Sequence, residues 1–182
     1  MAEYQAYSPN VEVLGRAVLV VVYGMPAYEA AVRKFMTEEG IGGVGPDDWV
    51  LQQSWLNVLG KVTDHYGDYT LRSIGTSIPD HALFPPSVKD FRSAMEALND
   101  AYYLNHRGGD IGHYRLDMAD VDSRRAIMEC RNPYPPYFDL GIISALCLKF
   151  PPSISANCKV DWEEGHLTRL DGADTCRFLI TW

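Results

Sequence analysis

The stretch from Asn99 to Asp139 constrains the fold more than any other. Helical periodicity runs into it through Leu98 and Tyr102. Asn105-His-Arg-Gly-Gly109 then turns the chain, and its two glycines let backbone approach another group closely. Ile111 to Met118 and Arg124 to Arg131 read as strands, joined by the polar turn Ala119 to Ser123. Asn132-Pro-Tyr-Pro-Pro136 is a stiff corner, because proline fixes φ and lacks an N–H donor. Tyr137 to Phe150 reads as a helix that Pro151-Pro152 ends.

The flanks fill in around that stretch. Residues 1–10 read as a loose leader. Val11 to Tyr23 is β-branched and almost continuously apolar, which predicts a strand covered on both faces. Ala27 to Glu39 predicts a helix with Tyr28, Ala31, Val32 and Phe35 on one stripe. Gly40 to Gly45 matches G-x-G-x-x-G, but a helix precedes it where a dinucleotide fingerprint needs a strand, so it reads as an interhelical loop. Pro46-Asp47-Asp48 predicts the start of a helix reaching Tyr66, with Leu51, Ser54, Trp55, Val58, Leu59 and Val62 inward and Gly67 as its cap. Asp68 to Ile78 predicts a short helix, and 79–86 a loop anchored by Phe84. Ser87 to Leu104 predicts a long helix capped by Ser87, with Phe91, Met95, Leu98 and Tyr102 inward.

At the C-terminal end, Asn157 to Glu163 and Thr175 to Trp182 alternate as half-buried antiparallel strands, with a loop or short added strand between them. The order is strand, helices, two strands, helix, two strands. It predicts an α+β fold, with an N-terminal helical layer packed on a mostly antiparallel sheet. One domain over 1–182 is long enough to bury a core without disulfide staples.

Charge narrows the partners. A net charge of −8 and no basic stripe argue against nucleic acid. The longest apolar run, Ala17 to Tyr23, is too short to span a bilayer. The first ten residues hold no basic segment followed by a hydrophobic one, so a secretory signal is not expected. The four cysteines show no CxxC spacing and read as free thiols of a cytoplasmic protein.

No catalytic signature of the HExxH, GxSxG or GK[ST] kind is present. Cys130, Cys147, Cys158 and Cys176 read as small buried hydrophobes. Cys158, His166 and Cys176 would sit on neighbouring strands and are the candidate zinc ligands, although their spacing is not a known zinc pattern. Tyr102, Asn105, His106, Arg107, His113, Tyr114, Tyr134 and Tyr137 form the candidate ligand-binding set. Tyrosines there offer an apolar body with one polar tip, which suits an organic ligand, and the histidines add a base or donor. Asp139 reads as a residue balancing a helix dipole.

Three runs carry a family resemblance. Phe138 to Phe150 is similar to a helix ending in a Lys/Arg-Phe pair, Asp171 to Trp182 to a shared final strand, and Trp49 to Gly67 with Leu98-Asn99 to two helices. Together they resemble the superfamily of heme–nitric oxide/oxygen binding (H-NOX) domains, 4-vinyl reductase domains and TRAPP subunits. The resemblance implies a ligand pocket between the helical layer and the sheet, and a homodimer or a signalling partner protein. It also raises heme as a cofactor. In H-NOX proteins a proximal histidine follows a Leu-Asn pair, whereas here Asp100-Ala101-Tyr102 follows it and His106 comes about one helical turn later. His106, or Tyr102, would be the axial ligand. The Tyr-x-Ser-x-Arg motif that grips the propionates is absent near Cys130 to Tyr134.

The expected function is a cytoplasmic small-molecule sensor holding an apolar or aromatic ligand, with no nucleic acid and no membrane as partner. The alternatives are a heme-based sensor of nitric oxide or oxygen with a non-standard axial ligand, and a small enzyme for a phenolic or organic acid using His106 and Arg107.

Overall fold

The computed structural model describes residues 4–120, 122–152 and 157–182. It is an α+β fold with two antiparallel sheets set against helices. In chain order the elements begin with β1 (Glu12–Leu14), α1 (Gly15–Val18), α2 (Val20–Gly24) and α3 (Glu29–Glu38). Then come β2 (Trp49–Leu51), α4 (Gln52–Tyr66), α5 (Asp68–Thr76), α6 (Ile78–His81) and α7 (Phe91–Leu104). β3 (His106–Arg107), β4 (His113–Asp120), β5 (Arg125–Arg131), α8 (Pro136–Lys149), β6 (Lys159–Trp162) and β7 (Cys176–Thr181) complete the chain.

The four-stranded sheet has the order β4-β5-β7-β6, and the smaller one β2-β1-β3. Alternation works as period-two patterning requires: Ala126, Met128, Cys130, Cys176, Phe178 and Ile180 are buried on one face. The other face carries charge. Arg177 reaches Glu163 at 2.5 Å, Asp117 at 2.7 Å and Glu129 at 3.2 Å across neighbouring strands. α8 lies between that sheet and the remaining helices, and it is apolar nearly all round because it is covered nearly all round.

Four expectations need correction. Val11 to Tyr23 is not one strand: it makes β1 and then turns into α1 and α2. A wholly buried apolar run does not reveal its period, and here contacts decide it. Gly15 N–H bonds the Asp48 carbonyl, and Arg16 N–H the Pro46 carbonyl, which bends the chain away from the sheet. Pro46-Asp47-Asp48 does not open a helix. β2 comes first, pairing with β1, and Asp48 instead accepts the Gly45 N–H while Asp47 meets Arg16. The long helix starts at Phe91 rather than near Ser87. Asp90, not Ser87, caps it, in a reciprocal box with Ser93. Finally, from Tyr4 onward the leader is tied down. Tyr4 bonds Thr63 and the Pro133 carbonyl, Ala6 N–H bonds Gln53, and Tyr7 lies under the Arg131 guanidinium.

Candidate functional site

Local structure converges on one buried point between α4, α7, α8 and β4. α7 ends at Leu104, and the next residues form β3, which pairs with β1 so that His106 stands opposite Val13. That pairing turns the His106 ring inward. From the other side, Asn132 accepts the Tyr134 N–H in a tight Asx turn, and the proline corner holds the Tyr134 ring against His106.

The geometry fixes the protonation of His106. Its Nδ1 lies 2.8 Å from the Tyr102 carbonyl oxygen, which only accepts, so Nδ1 carries the hydrogen. Nε2 therefore accepts, from the Tyr134 hydroxyl at 2.6 Å. Gln52 Nε2 donates to that same hydroxyl oxygen at 3.3 Å. Burial lowers the His106 pKa from 6.5 to about 4, against the opposing pull of the Tyr102 carbonyl. Burial likewise pushes the Tyr134 hydroxyl up, with Gln52 opposing. The pair is thus neutral and is a poor proton carrier near pH 7.

Beside it is a second, charged knot. Asp139, in the first turn of α8 and wholly buried, takes the Arg169 guanidinium at 2.5 Å, the Tyr114 hydroxyl at 2.5 Å and the Asn132 amide at 3.2 Å. Arg169 also bonds the carbonyls of Cys130 and Tyr134. Burial pushes the Asp139 carboxyl up, and Arg169 opposes it. Burial works against the Arg169 charge, but Asp139, Cys176 and Cys130 together raise that group. Among the described residues, Gln52 Oε1 and Arg169 Nε are buried without a protein partner.

A cavity of about 40 Å³ lies against the histidine–tyrosine pair. Its wall is apolar, with Trp55, Phe84, Leu98, Phe138 and Ile142 among the lining side chains. Tyr102, Asn105, His106, Tyr114 and Tyr134 of the candidate set also line it. Their polar atoms are engaged elsewhere: Tyr102 with the Ile111 carbonyl, Tyr114 with Asp139, Asn105 with Leu83 and Ala101.

The other candidates sit apart from the cavity. Arg107 follows His106 on a strand and points the opposite way, pairing with Glu12 at 2.6 Å and covering the Trp49 ring. His113 is on the outer face of the sheet against Glu129, and Tyr137 packs between Tyr69 and Trp162. Cys158, His166 and Cys176 do not come together, and no cluster of three metal-ligating side chains occurs among the described residues. Cys176 accepts the Arg169 N–H, while His166 faces Glu163 from an exposed loop. Gln52, Asn132, Asp139 and Arg169 were not expected in the site. One signal pointed to Asp139: an acid inside a helix apolar on every side needs a buried partner.

No family model matches the chain, and no curated protein matches it. Solved structures do. An oxygen-binding H-NOX domain related to soluble guanylate cyclases, in its oxygen complex, aligns with TM-score 0.63 at 16% identity, covering 92% of this chain and 91% of that one. A point mutant of T. tengcongensis H-NOX aligns with TM-score 0.61 at 12% identity, covering 91% and 94%. A structure described as probing heme distortion in the H-NOX family gives 0.61 at 13%, covering 92% and 94%.

Proposed function

Starting from an H-NOX-like fold, we propose that this chain is a small-molecule sensor domain that takes an apolar or aromatic ligand into the cavity beside His106 and Tyr134. The observation that carries the reading is the cavity wall. It is almost entirely apolar, and the polar groups that reach it are already satisfied. A ligand there is held by shape and apolar contact, with little to gain from hydrogen bonds.

At about 40 Å³ the cavity has room for only a few water-sized molecules. A larger ligand must widen it. The segment after α6 supplies Ala82 and Phe84 to the wall and is held by the Asn105 amide, so it is the part that yields. The signal then passes to a second copy of the chain or to a partner protein, in the cytoplasm.

Heme, raised by the resemblance and by the neighbour described in terms of heme distortion, does not suit these residues. An axial base needs a free nitrogen, and both His106 nitrogens are engaged. The Tyr102 hydroxyl is likewise committed, to the Ile111 carbonyl.

Native mass spectrometry of the purified protein, set against its denatured mass, tests the reading. We expect a one-to-one organic adduct, either retained from purification or formed with a panel of aromatic and aliphatic compounds. Binding should also change the fluorescence of Trp55, and Trp55→Phe should remove that change. A mass excess equal to heme with a Soret band would overturn the proposal. So would a failure of every compound to bind at millimolar concentration.

A further inference from the structure

Residues 4–7 run over the surface as a strap, and what they touch defines a seam. Gln53 on α4 grips the strap as a neighbouring strand would. Its Oε1 accepts the Ala6 N–H at 3.0 Å, and its Nε2 donates to the Tyr4 carbonyl at 2.8 Å. The Tyr4 N–H donates to the Pro133 carbonyl at 3.1 Å, and the Tyr4 hydroxyl meets Thr63 at 2.7 Å. The Tyr7 ring lies 4.7 Å from the Arg131 guanidinium, against Gly112, where a Cβ would come within 3.1 Å of it. The strap thus crosses from the helical layer to the end of the β4–β5 pair, over the proline corner.

Each of these holders is the sequence neighbour of a buried site residue. Gln52, beside Gln53, donates to the Tyr134 hydroxyl. Tyr134 follows Pro133, and Cys130, before Arg131, gives its carbonyl to Arg169. Adjacent residues face different ways, so the outward member holds the strap and the inward member builds the site. That inward side carries Gln52 Oε1 and Arg169 Nε, the two atoms buried without a protein partner among the described residues. Tyr7 borders the same place: burial pushes its hydroxyl up, while Arg169 and Arg131 pull it down. A buried polar atom without a partner gains a hydrogen bond when water reaches it. Opening is therefore favoured at these two atoms and opposed by the contacts of Tyr4, Ala6 and Tyr7.

The chain also has a hinge. Ser8-Pro9-Asn10-Val11 is a turn in which the Val11 N–H meets the Ser8 carbonyl at 3.3 Å, with proline and asparagine at its central positions, as such turns prefer. Ser8 Oγ accepts the Asp110 N–H at 3.2 Å. Gly108 and Gly109 pack so closely on the turn that a Cβ on Gly108 would strike the Asn10 carbonyl and one on Gly109 the Ser8 side chain. The body holds this turn without Gln53, so residues 4–7 can swing about it. We propose that residues 4–7 are a hinged strap that lifts about the Ser8–Val11 turn while the core stays folded, and so gates the access of water to the Gln52–Arg169 side of the site. The inference concerns the strap and the buried polar groups, and it holds whatever ligand the cavity takes.

The test is hydrogen exchange by NMR on the full chain, native and Gln53→Ala, a change at a half-buried position that removes both strap bonds of that side chain. We expect the Tyr4 amide and the Arg169 Nε–H, neither of which bonds to Gln53, to exchange about five- to 150-fold faster in the variant. The Asp110 amide at the hinge, and the Met128 and Phe178 amides in the sheet, should keep their native rates. A faster Tyr4 amide with an unchanged Arg169 Nε–H would overturn the proposal, because the strap would then cover nothing. So would Met128 and Phe178 speeding up by the same factor, since the strap would open only with the core. Brief digestion of the native chain with chymotrypsin serves if Gln53→Ala does not fold. Cleavage after Tyr4 or Tyr7 should trim the first residues and leave a folded body. Fragmentation with no such trimmed product would sink the hinged strap as well.

Discussion

His106 gives the stability of this protein a definite pH dependence. Its folded pKa is about 4, against an ordinary 6.5. On acidification the unfolded chain therefore binds this proton before the folded one does. The contribution of the neutral ring is complete above the ordinary value. It falls as pH drops through the window between the two values, and is flat below the lower one. A shift of that size corresponds to about 3 kcal/mol. The urea midpoint should fall between pH about 7 and about 4.5, and His106→Gln should flatten that fall. An unchanged slope in the variant would assign the dependence to other groups. Asp139 and Arg169 make the complementary case. Arg169→Met strands a carboxylate in the core and should cost about 3–5 kcal/mol, whereas Arg169→Met with Asp139→Leu should recover much of it. Thermal unfolding of the single and double variants decides, and a double variant as weak as the single would show that the hydrogen bonds, not the charges, matter. Neither pairing could be read from spacing. Their partners are 28 and 30 positions apart in sequence and meet only when β3, the proline corner and the loop before β7 are in place.

At the scale of elements, α5 and α8 meet through two glycines. A Cβ on Gly75 would run into the Phe138 carbonyl, and one on Gly141 into the Arg72 carbonyl. Backbone is what it would strike, and backbone does not rotate away. Helix propensity alone says that Gly141→Ala gains about 1 kcal/mol. Overpacking says that it loses about 1–3 kcal/mol or more, because the helices must part. We expect a net loss in urea unfolding, and a more stable variant would mean that the helices slide at no cost. Elements whose environment repeats along the chain were legible. The inward faces of β5 and β7, and Phe91, Met95, Leu98 and Tyr102 on α7, are buried as their periods imply. Val20, Val21 and Val22 were not legible, since three buried valines in a row satisfy a covered strand and a covered helix equally. β3 escaped notice for another reason. It is two residues long, and pairing with β1 makes it a strand, not its composition.

For the whole molecule, the question is how so small a cavity admits a ligand. The wall includes α4, α7 and α8, which carry the core, and the segment from Ala82 to Asp90, which does not. The Asn105 side chain fastens the start of that segment. Asn105 Oδ1 accepts the Leu83 N–H at 3.1 Å, and its Nδ2 donates to the Leu83 carbonyl at 2.9 Å. Phe84, the next residue, is only half-buried. Losing this two-point clasp should weaken the closed state by about 1–3 kcal/mol, the scale of one or two hydrogen bonds. That multiplies the open population by about five- to 150-fold. Asn105→Ala should therefore speed exchange of the Leu83 amide and leave the Met128 and Phe178 amides as slow as before. If ligands enter at this segment, their association rate should rise with it, since binding is limited by the fraction of molecules that are open. Hydrogen exchange and stopped-flow fluorescence from Trp55 read the two effects separately. Faster exchange at Leu83 with an unchanged association rate would place the way in elsewhere on the wall. Faster exchange at Met128 and Phe178 as well would mean that the segment opens only when the core does, and the cavity would then be a feature of packing rather than a door.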